Sequence, residues 1–240
     1  MILAIDAGNS RIKWGCHGED AWLEKGWLAT ADCAGLSEAL ATYPAPDRIM
    51  VSNVAGEAVR ESIIAACQRW PRRIEWLVAT ASQCGVKNGY CNPAQLGPDR
   101  WAALIAARGM WAGDCVVVHA GTAVTVDALS ADGEFVGGLI VAGVKTMRQA
   151  LAVGTVALDE ASGKFAAFPL NTADAVCSGA LLAVAGAIDR MRQSLAQRQG
   201  AEVTCLLSGG DAQHLLPLLS ANTRMVDNLV LDGLIRIAKT

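Results

Sequence analysis

Two distant segments of this chain are built to one plan. Ile2-Leu3-Ala4-Ile5 is a short apolar run, Asp6-Ala7-Gly8-Asn9-Ser10 has the composition of a turn, and Arg11-Ile12-Lys13-Trp14 alternates polar and apolar residues as a half-buried strand does. Val116-Val117-Val118, His119-Ala120-Gly121-Thr122-Ala123 and Val124-Thr125-Val126-Asp127 follow in the same order. A repeat of strand, turn and strand at this distance duplicates a whole lobe, not a short solenoid unit. It predicts two similar α/β lobes with a cleft between them.

The rest of the pattern fits that plan. Strands are predicted over residues 48–53, 74–78, 135–141 and 203–207, and helices over 57–70, 98–108 and 228–239, with a further helix beginning at 145–151. Residues 172–199 read as one long, largely buried helix. Pro98 suits a first helical turn, Asn228 an N-cap, and Lys239 a helix C-terminus. The lobes are placed at residues 1–110 and 111–240, with the 98–108 helix bridging them.

Composition narrows the function. The 240 residues are 52% hydrophobic and carry a formal net charge of -3. No basic excess marks a nucleic-acid partner or an anionic membrane surface. The most apolar run, 175–188, is broken by Ser178, Gly179 and Gly186 and is shorter than the roughly 18 residues a spanning helix needs. No signal peptide is read at the N-terminus, and a cytoplasmic protein is expected. The eight cysteines are scattered without a C-x-x-C pair, so thiols packed as small hydrophobes are expected in place of a zinc site or a disulfide scaffold.

The turns suggest the chemistry. Glycine lets the backbone approach a phosphate, and Ser or Thr hydroxyls add donors. A carboxylate just before such a turn, Asp6 here, can hold Mg²⁺ or its water shell against phosphate oxygens. One such turn is an ordinary hairpin; two at equivalent places in equivalent lobes indicate a nucleotide site. Ser208-Gly209-Gly210-Asp211, after an apolar run, is either room for a base or ribose or a helix-entry turn.

With these motifs the chain resembles the actin, hexokinase and Hsp70 ATPase superfamily, and within it the type III pantothenate kinases, the group that includes the Bvg accessory factors. The most specific marker is Gly97-Pro98-Asp99-Arg100-Trp101. Asn88-Gly89-Tyr90, Gly137-Gly138-Leu139-Ile140 and Phe168-Pro169-Leu170-Asn171-Thr172 accompany it in order. The resemblance implies two ribonuclease H-like lobes, ATP with Mg²⁺, and phosphorylation of pantothenate at the start of coenzyme A synthesis. It assigns ATP to Asp6, Ala7, Gly8, Asn9, Ser10, Arg11, Ile12 and Lys13, with Gly121, Thr122, Thr125 and Gly209. It makes Asp99 the general base and gives pantothenate to Tyr90, Gly97, Pro98, Asp99, Arg100 and Thr172. It also implies a homodimer, to which the 172–199 helix is a candidate contributor.

His119 departs from the family pattern, which has Asp there to bind K⁺ or NH₄⁺. Imidazole is a poor ligand for an alkali cation, and imidazolium repels it. The readings are a lost cation dependence with His119 supplying charge, a cation held by backbone and water, or weak or lost activity. Ala142, where the family has Pro, is a smaller departure because Gly143 still permits the turn. Lys145 and Arg148 read as solvated, and His17 and His214 as surface residues. Two rival functions remain: a kinase for another hydroxylated substrate, such as a sugar, and a non-catalytic ATP-binding accessory protein.

Overall fold

The structure, a computed structural model, describes residues 1–153 and 163–240. In chain order the strands are β1 (Ile2–Ala7), β2 (Arg11–His17), β3 (Trp22–Ala29), β4 (Arg48–Asn53), β5 (Ile74–Trp76), β6 (Ser82–Gln83), β7 (Val86–Asn88), β8 (Cys115–Ala120), β9 (Ala123–Leu129), β10 (Glu134–Ala142), β11 (Thr204–Ser208) and β12 (Thr223–Met225). The α-helices are α1 (Leu36–Ala39), α2 (Glu57–Cys67), α3 (Pro98–Met110), α4 (Val144–Val153), α5 (Thr172–Gln199), α6 (Ala212–Leu215) and α7 (Leu229–Ala238). They form two compact units, Met1–Met110 with Asn228–Thr240, and Trp111–Asp227.

In the first unit the sheet order is β3-β2-β1-β4-β5. β1 and β2 pair antiparallel, as do β2 and β3, while β4 lies parallel to β1 and to β5. Side chains alternate across a sheet, so each strand feeds two layers. Leu3, Ile5, Ala7, Ile49 and Val51 point to one face, where they pack with Leu36, Leu40, Val59 and Ile63. Ala4, Asp6, Met50 and Ser52 point to the other, the side on which α7 packs on β1 and β4 and α3 on β4. The β6–β7 hairpin turns through Cys84 (φ 49°) and Gly85 (φ 80°), both left-handed, as a two-residue hairpin turn requires.

The second unit repeats this topology. β8 and β9 pair antiparallel, β9 and β10 likewise, and β11 lies parallel to β8 and to β12. Val116, Val118, Ala120, Val124 and Val126 pack against Leu181, Val184 and Ile188 of α5. The sequence repeat is therefore a repeat of fold, with β8, β9 and β11 taking the places of β1, β2 and β4.

Several expectations change. The chain divides after residue 110, but α7 belongs to the first unit and not to the second lobe. Its Gly233 lies so close to α3 that a Cβ there would overlap the Ala102 carbonyl. α3 lies within the first unit. β3 was not anticipated: as an edge strand it leaves Leu23 and Trp27 exposed and lacks a clean apolar alternation. α5 spans the expected residues, yet only 39% of its most apolar 18-residue window is buried. By length and composition alone it could cross a membrane. Asn228 precedes α7 in a left-handed conformation (φ 55°) without a side-chain cap bond. His17 is buried: its Nδ1 lies 2.7 Å from the Gly18 carbonyl, and its ring meets Trp22 edge-on at 5.0 Å. All eight cysteines are free thiols.

Candidate active site

The first turn joins β1 to β2 through Gly8, Asn9 and Ser10. Gly8 N–H donates to the Arg11 carbonyl at 3.0 Å. Thr30 braces the turn from outside: its hydroxyl donates to the Gly8 carbonyl at 2.7 Å, and its N–H to the Ser10 carbonyl at 3.1 Å. Sequence reasoning missed Thr30 because the strand before it was not recognised. Arg11 stacks over Trp27 at 4.6 Å, and Ile12 is fully buried in the sheet core, where it anchors the strand.

Register sets a row of side chains beside this turn. Trp27 pairs with Lys13, Lys13 with Asp6, and Asp6 with Ser52. Paired residues on neighbouring strands project from the same face, so these four residues share one. Asp6 is buried, and its pKa is raised to about 7 by burial first and the Asp99 carboxylate second, against a smaller lowering by Lys13. The two carboxylates thus act on each other within one unit.

Asp99 is the second residue of α3. Its Oδ1 accepts the Arg100 backbone N–H at 2.9 Å, which holds the carboxylate at the helix N-terminus. A Cβ on Gly97 would stand 2.6 Å from that same oxygen, so glycine at 97 makes room for the carboxylate. Pro98 opens the helix, where the missing N–H costs nothing. Arg100 is buried and donates from Nη1 to the Tyr90 hydroxyl at 3.0 Å, with its guanidinium 5.7 Å from the ring centroid. Asn88 Oδ1 accepts the Tyr90 N–H at 3.0 Å, giving Asn88-Gly89-Tyr90 a structural part. Trp101 is fully buried and donates from Nε1 to Gln83 at 3.0 Å.

The second unit carries the counterpart row. Ile140 pairs with Thr125, Thr125 with His119, and His119 with Ser208. The Ser208 hydroxyl donates to the Val118 carbonyl at 3.0 Å. Its one proton is then spent, so the contact of 3.2 Å to His119 Nδ1 is a hydrogen bond donated by the imidazole N–H. The turn here is one residue shorter than in the first unit: Ala7 pairs with Ile12, but Ala120 with Val124.

α4 holds this shorter turn. Gly143 N–H and the Thr146 hydroxyl both donate to the Thr122 carbonyl, at 2.9 and 2.8 Å. A Cβ on Gly143 would overlap the Gly121 carbonyl, so Gly143 is required by close approach, whatever stands at 142. Gly209 (φ 103°) lies against Ala120 with no room for a Cβ, and the Asp211 N–H donates to the Ala120 carbonyl at 3.1 Å. Asp211 has a pKa raised by burial, which His214 and Lys145 partly offset. The third motif is thereby fastened to the second turn, and Lys145 sits close enough to be felt there. Thr172 is exposed and opens α5, whose N-cap Asn171 accepts the Asp174 N–H at 2.9 Å.

Three comparisons bear on this arrangement. A family model described as type III pantothenate kinase matches residues 2–194. A type III pantothenate kinase of Nitrosospira multiformis is 47% identical over 239 residues, covering 100% of this chain and 91% of its own, and one of Aromatoleum aromaticum is 48% identical, covering 100% and 98%. Among solved structures, one described as a 2-dehydro-3-deoxygalactonokinase of Sinorhizobium meliloti superposes with a TM-score of 0.64 at 20% identity, covering 100% of this chain and 98% of its own. At that identity the likeness is one of fold, the two-lobe α/β fold of sugar kinases and actin-like ATPases.

Proposed function

The chain belongs to the type III pantothenate kinase family, and we propose from its site how it phosphorylates pantothenate with ATP. The observation that carries this reading is the Asp6–Asp99 carboxylate pair, set between a glycine turn and the Gly97-Pro98-Asp99-Arg100 helix start. Phosphoryl transfer is mostly positioning and charge stabilisation. Gly8, Asn9, Ser10, Arg11 and Lys13, with Asp6 and Ala7 behind them, receive the ATP phosphates in the first unit. Gly121, Thr122, Thr125 and Gly209 serve ATP in the second. Asp99 accepts the proton of the pantothenate hydroxyl as its oxygen bonds to the γ-phosphorus and the bond to ADP breaks. The buried Arg100 guanidinium, oriented by Tyr90, recognises the substrate carboxylate. Gly97 and Pro98 shape that wall, and Thr172 is a further substrate contact.

Among the described residues no group of three or more His, Cys, Asp or Glu could cage a metal. Mg²⁺ commonly keeps several waters and uses one or two carboxylates with the substrate phosphates, so Asp6 fits it. When bound, the ion neutralises charge on the β- and γ-phosphates. A monovalent cation does not fit at position 119, where the imidazole is engaged with Ser208. We therefore read the enzyme as independent of K⁺ and NH₄⁺. A cytoplasmic homodimer completes the proposal, with the exposed face of α5 as its interface.

The test is phosphopantothenate formation from ATP, Mg²⁺ and pantothenate in Na⁺, K⁺ and NH₄⁺ buffers. Equal turnover in all three is expected. Turnover of a sugar but not pantothenate would reject the substrate, and ATP binding without transfer in every buffer would favour a non-catalytic role. A strict requirement for K⁺ or NH₄⁺ would overturn the reading of His119 alone.

A further inference from the structure

The duplicated fold pairs each turn-side residue with a serine on the neighbouring parallel strand: His119 with Ser208, and Asp6 with Ser52. In the second unit the serine hydroxyl takes a hydrogen bond from the imidazole, 3.2 Å away. In the first unit Ser52 is fully buried, at 0% exposure, and its Oγ has no hydrogen-bond partner among the described residues. A buried hydroxyl left so costs stability. An alanine would fill the same position without that cost, so the hydroxyl needs another explanation. By register and face it stands beside the carboxylate of Asp6.

We propose that Ser52 is a positioning residue for Asp6, its hydroxyl donating to the ionised carboxylate and holding it toward the nucleotide phosphates and their Mg²⁺. The second unit shows that the fold brings the two side chains within reach: the same pair of positions is bonded there. A serine hydroxyl reorients by rotation about χ1 alone, so no backbone movement is needed. The charged groups that act on Asp6 are Asp99 from α3 and Lys13 from β2. Both act on it through their charge, which leaves Ser52 as the hydroxyl donor placed by the sheet itself. This rests on the reading of Asp6 as the carboxylate on the phosphate side.

The experiment compares the parent protein with Ser52→Ala, Asp6→Asn and the double variant. Each is measured for kcat and KM with ATP and pantothenate, for binding of a non-hydrolysable ATP analogue with and without Mg²⁺ by calorimetry, and for thermal stability. A hydrogen bond to a charged group converts to a loss of roughly 10-fold or more. Ser52→Ala is expected to lose about 10-fold in Mg²⁺-dependent analogue binding and in kcat/KM for ATP. Binding without Mg²⁺ should be unchanged and the melting temperature should not fall. In the Asp6→Asn background Ser52→Ala should cost nothing more. Ser208→Ala is the contrast: it removes the hydrogen bonds that Ser208 makes with the Val118 carbonyl and His119 Nδ1, and should lower the melting temperature. Ser52→Ala with parental nucleotide binding and turnover, or with an equal loss whether or not Asp6 is present, would overturn the proposal. Because the binding arm uses no pantothenate, it judges Ser52 even if the substrate assignment fails.

Discussion

Asp6 and His119 occupy equivalent positions and do different electrostatic work. Asp6 is a buried acid beside a second acid, and burial with Asp99 raises its pKa from 3.8 to about 7. Between those values the folded protein keeps a proton that the unfolded chain has released, so stability falls as pH rises through this window. Asp6→Asn removes that loss. In ligand-free, Mg²⁺-free protein the variant should match the parent near pH 4 and exceed it at pH 8, the advantage growing by on the order of 1.4 kcal/mol per pH step of one within the window. Urea unfolding at both pH values measures this, and an equal offset at both would exclude it. Asp99→Asn should leave binding of an ATP analogue intact and lower turnover by about 10²–10⁴, the usual worth of a general base; parental turnover would remove Asp99 from the mechanism. The identities of Asp6, Asp99 and His119 as candidates were legible in sequence. Their coupling was not, because Asp6 and Asp99 meet only through packing. Ser52 sits in the apolar-looking run Ile49-Met50-Val51-Ser52, where nothing local marks it.

Among the elements, legibility followed local signals. α5 begins and ends where the sequence predicted because its caps are written locally: Asn171 caps the start, and Gly200 takes the left-handed conformation (φ 69°) past the end. α2 stops at Cys67, short of the predicted Trp70, and Pro71 disfavours helix at the residue before it. α7 was recognised as a helix, but its allegiance was not, since nothing within 228–239 says which sheet it covers. Its closeness to α3 makes a sharp prediction. Gly233→Ala would drive a Cβ into the Ala102 backbone, and overpacking of this kind costs about 1–3 kcal/mol. The expected result is a melting temperature lower by several degrees; an unchanged value would mean that the helices separate freely.

For the whole molecule, the question is what covers α5. One side packs on the second sheet, while Leu182 is 47% exposed, and Phe168 and Leu170 just before the helix are 90% and 98% exposed. Large apolar side chains in that setting mark an interaction surface, which supports the dimer proposal. Leu182→Glu should convert a dimeric parent into a folded monomer by light scattering, since the side chain is not part of the monomer's core. A parent that is itself monomeric would refute this interface.

The sequence alone determined the duplicated strand–turn–strand plan, the glycine turns and the ends of α5, because each depends on residues close together along the chain. It also carried the family's Gly97-Pro98-Asp99-Arg100 signature. Tertiary structure decided that α7 closes the first unit and that Asp6 and Asp99 share an electrostatic environment. It decided too that Arg100 is oriented by Tyr90 and that Ser52 stands beside Asp6. Those facts depend on strand register and helix packing between residues distant in sequence, and burial then sets the energy of the charges that packing brings together.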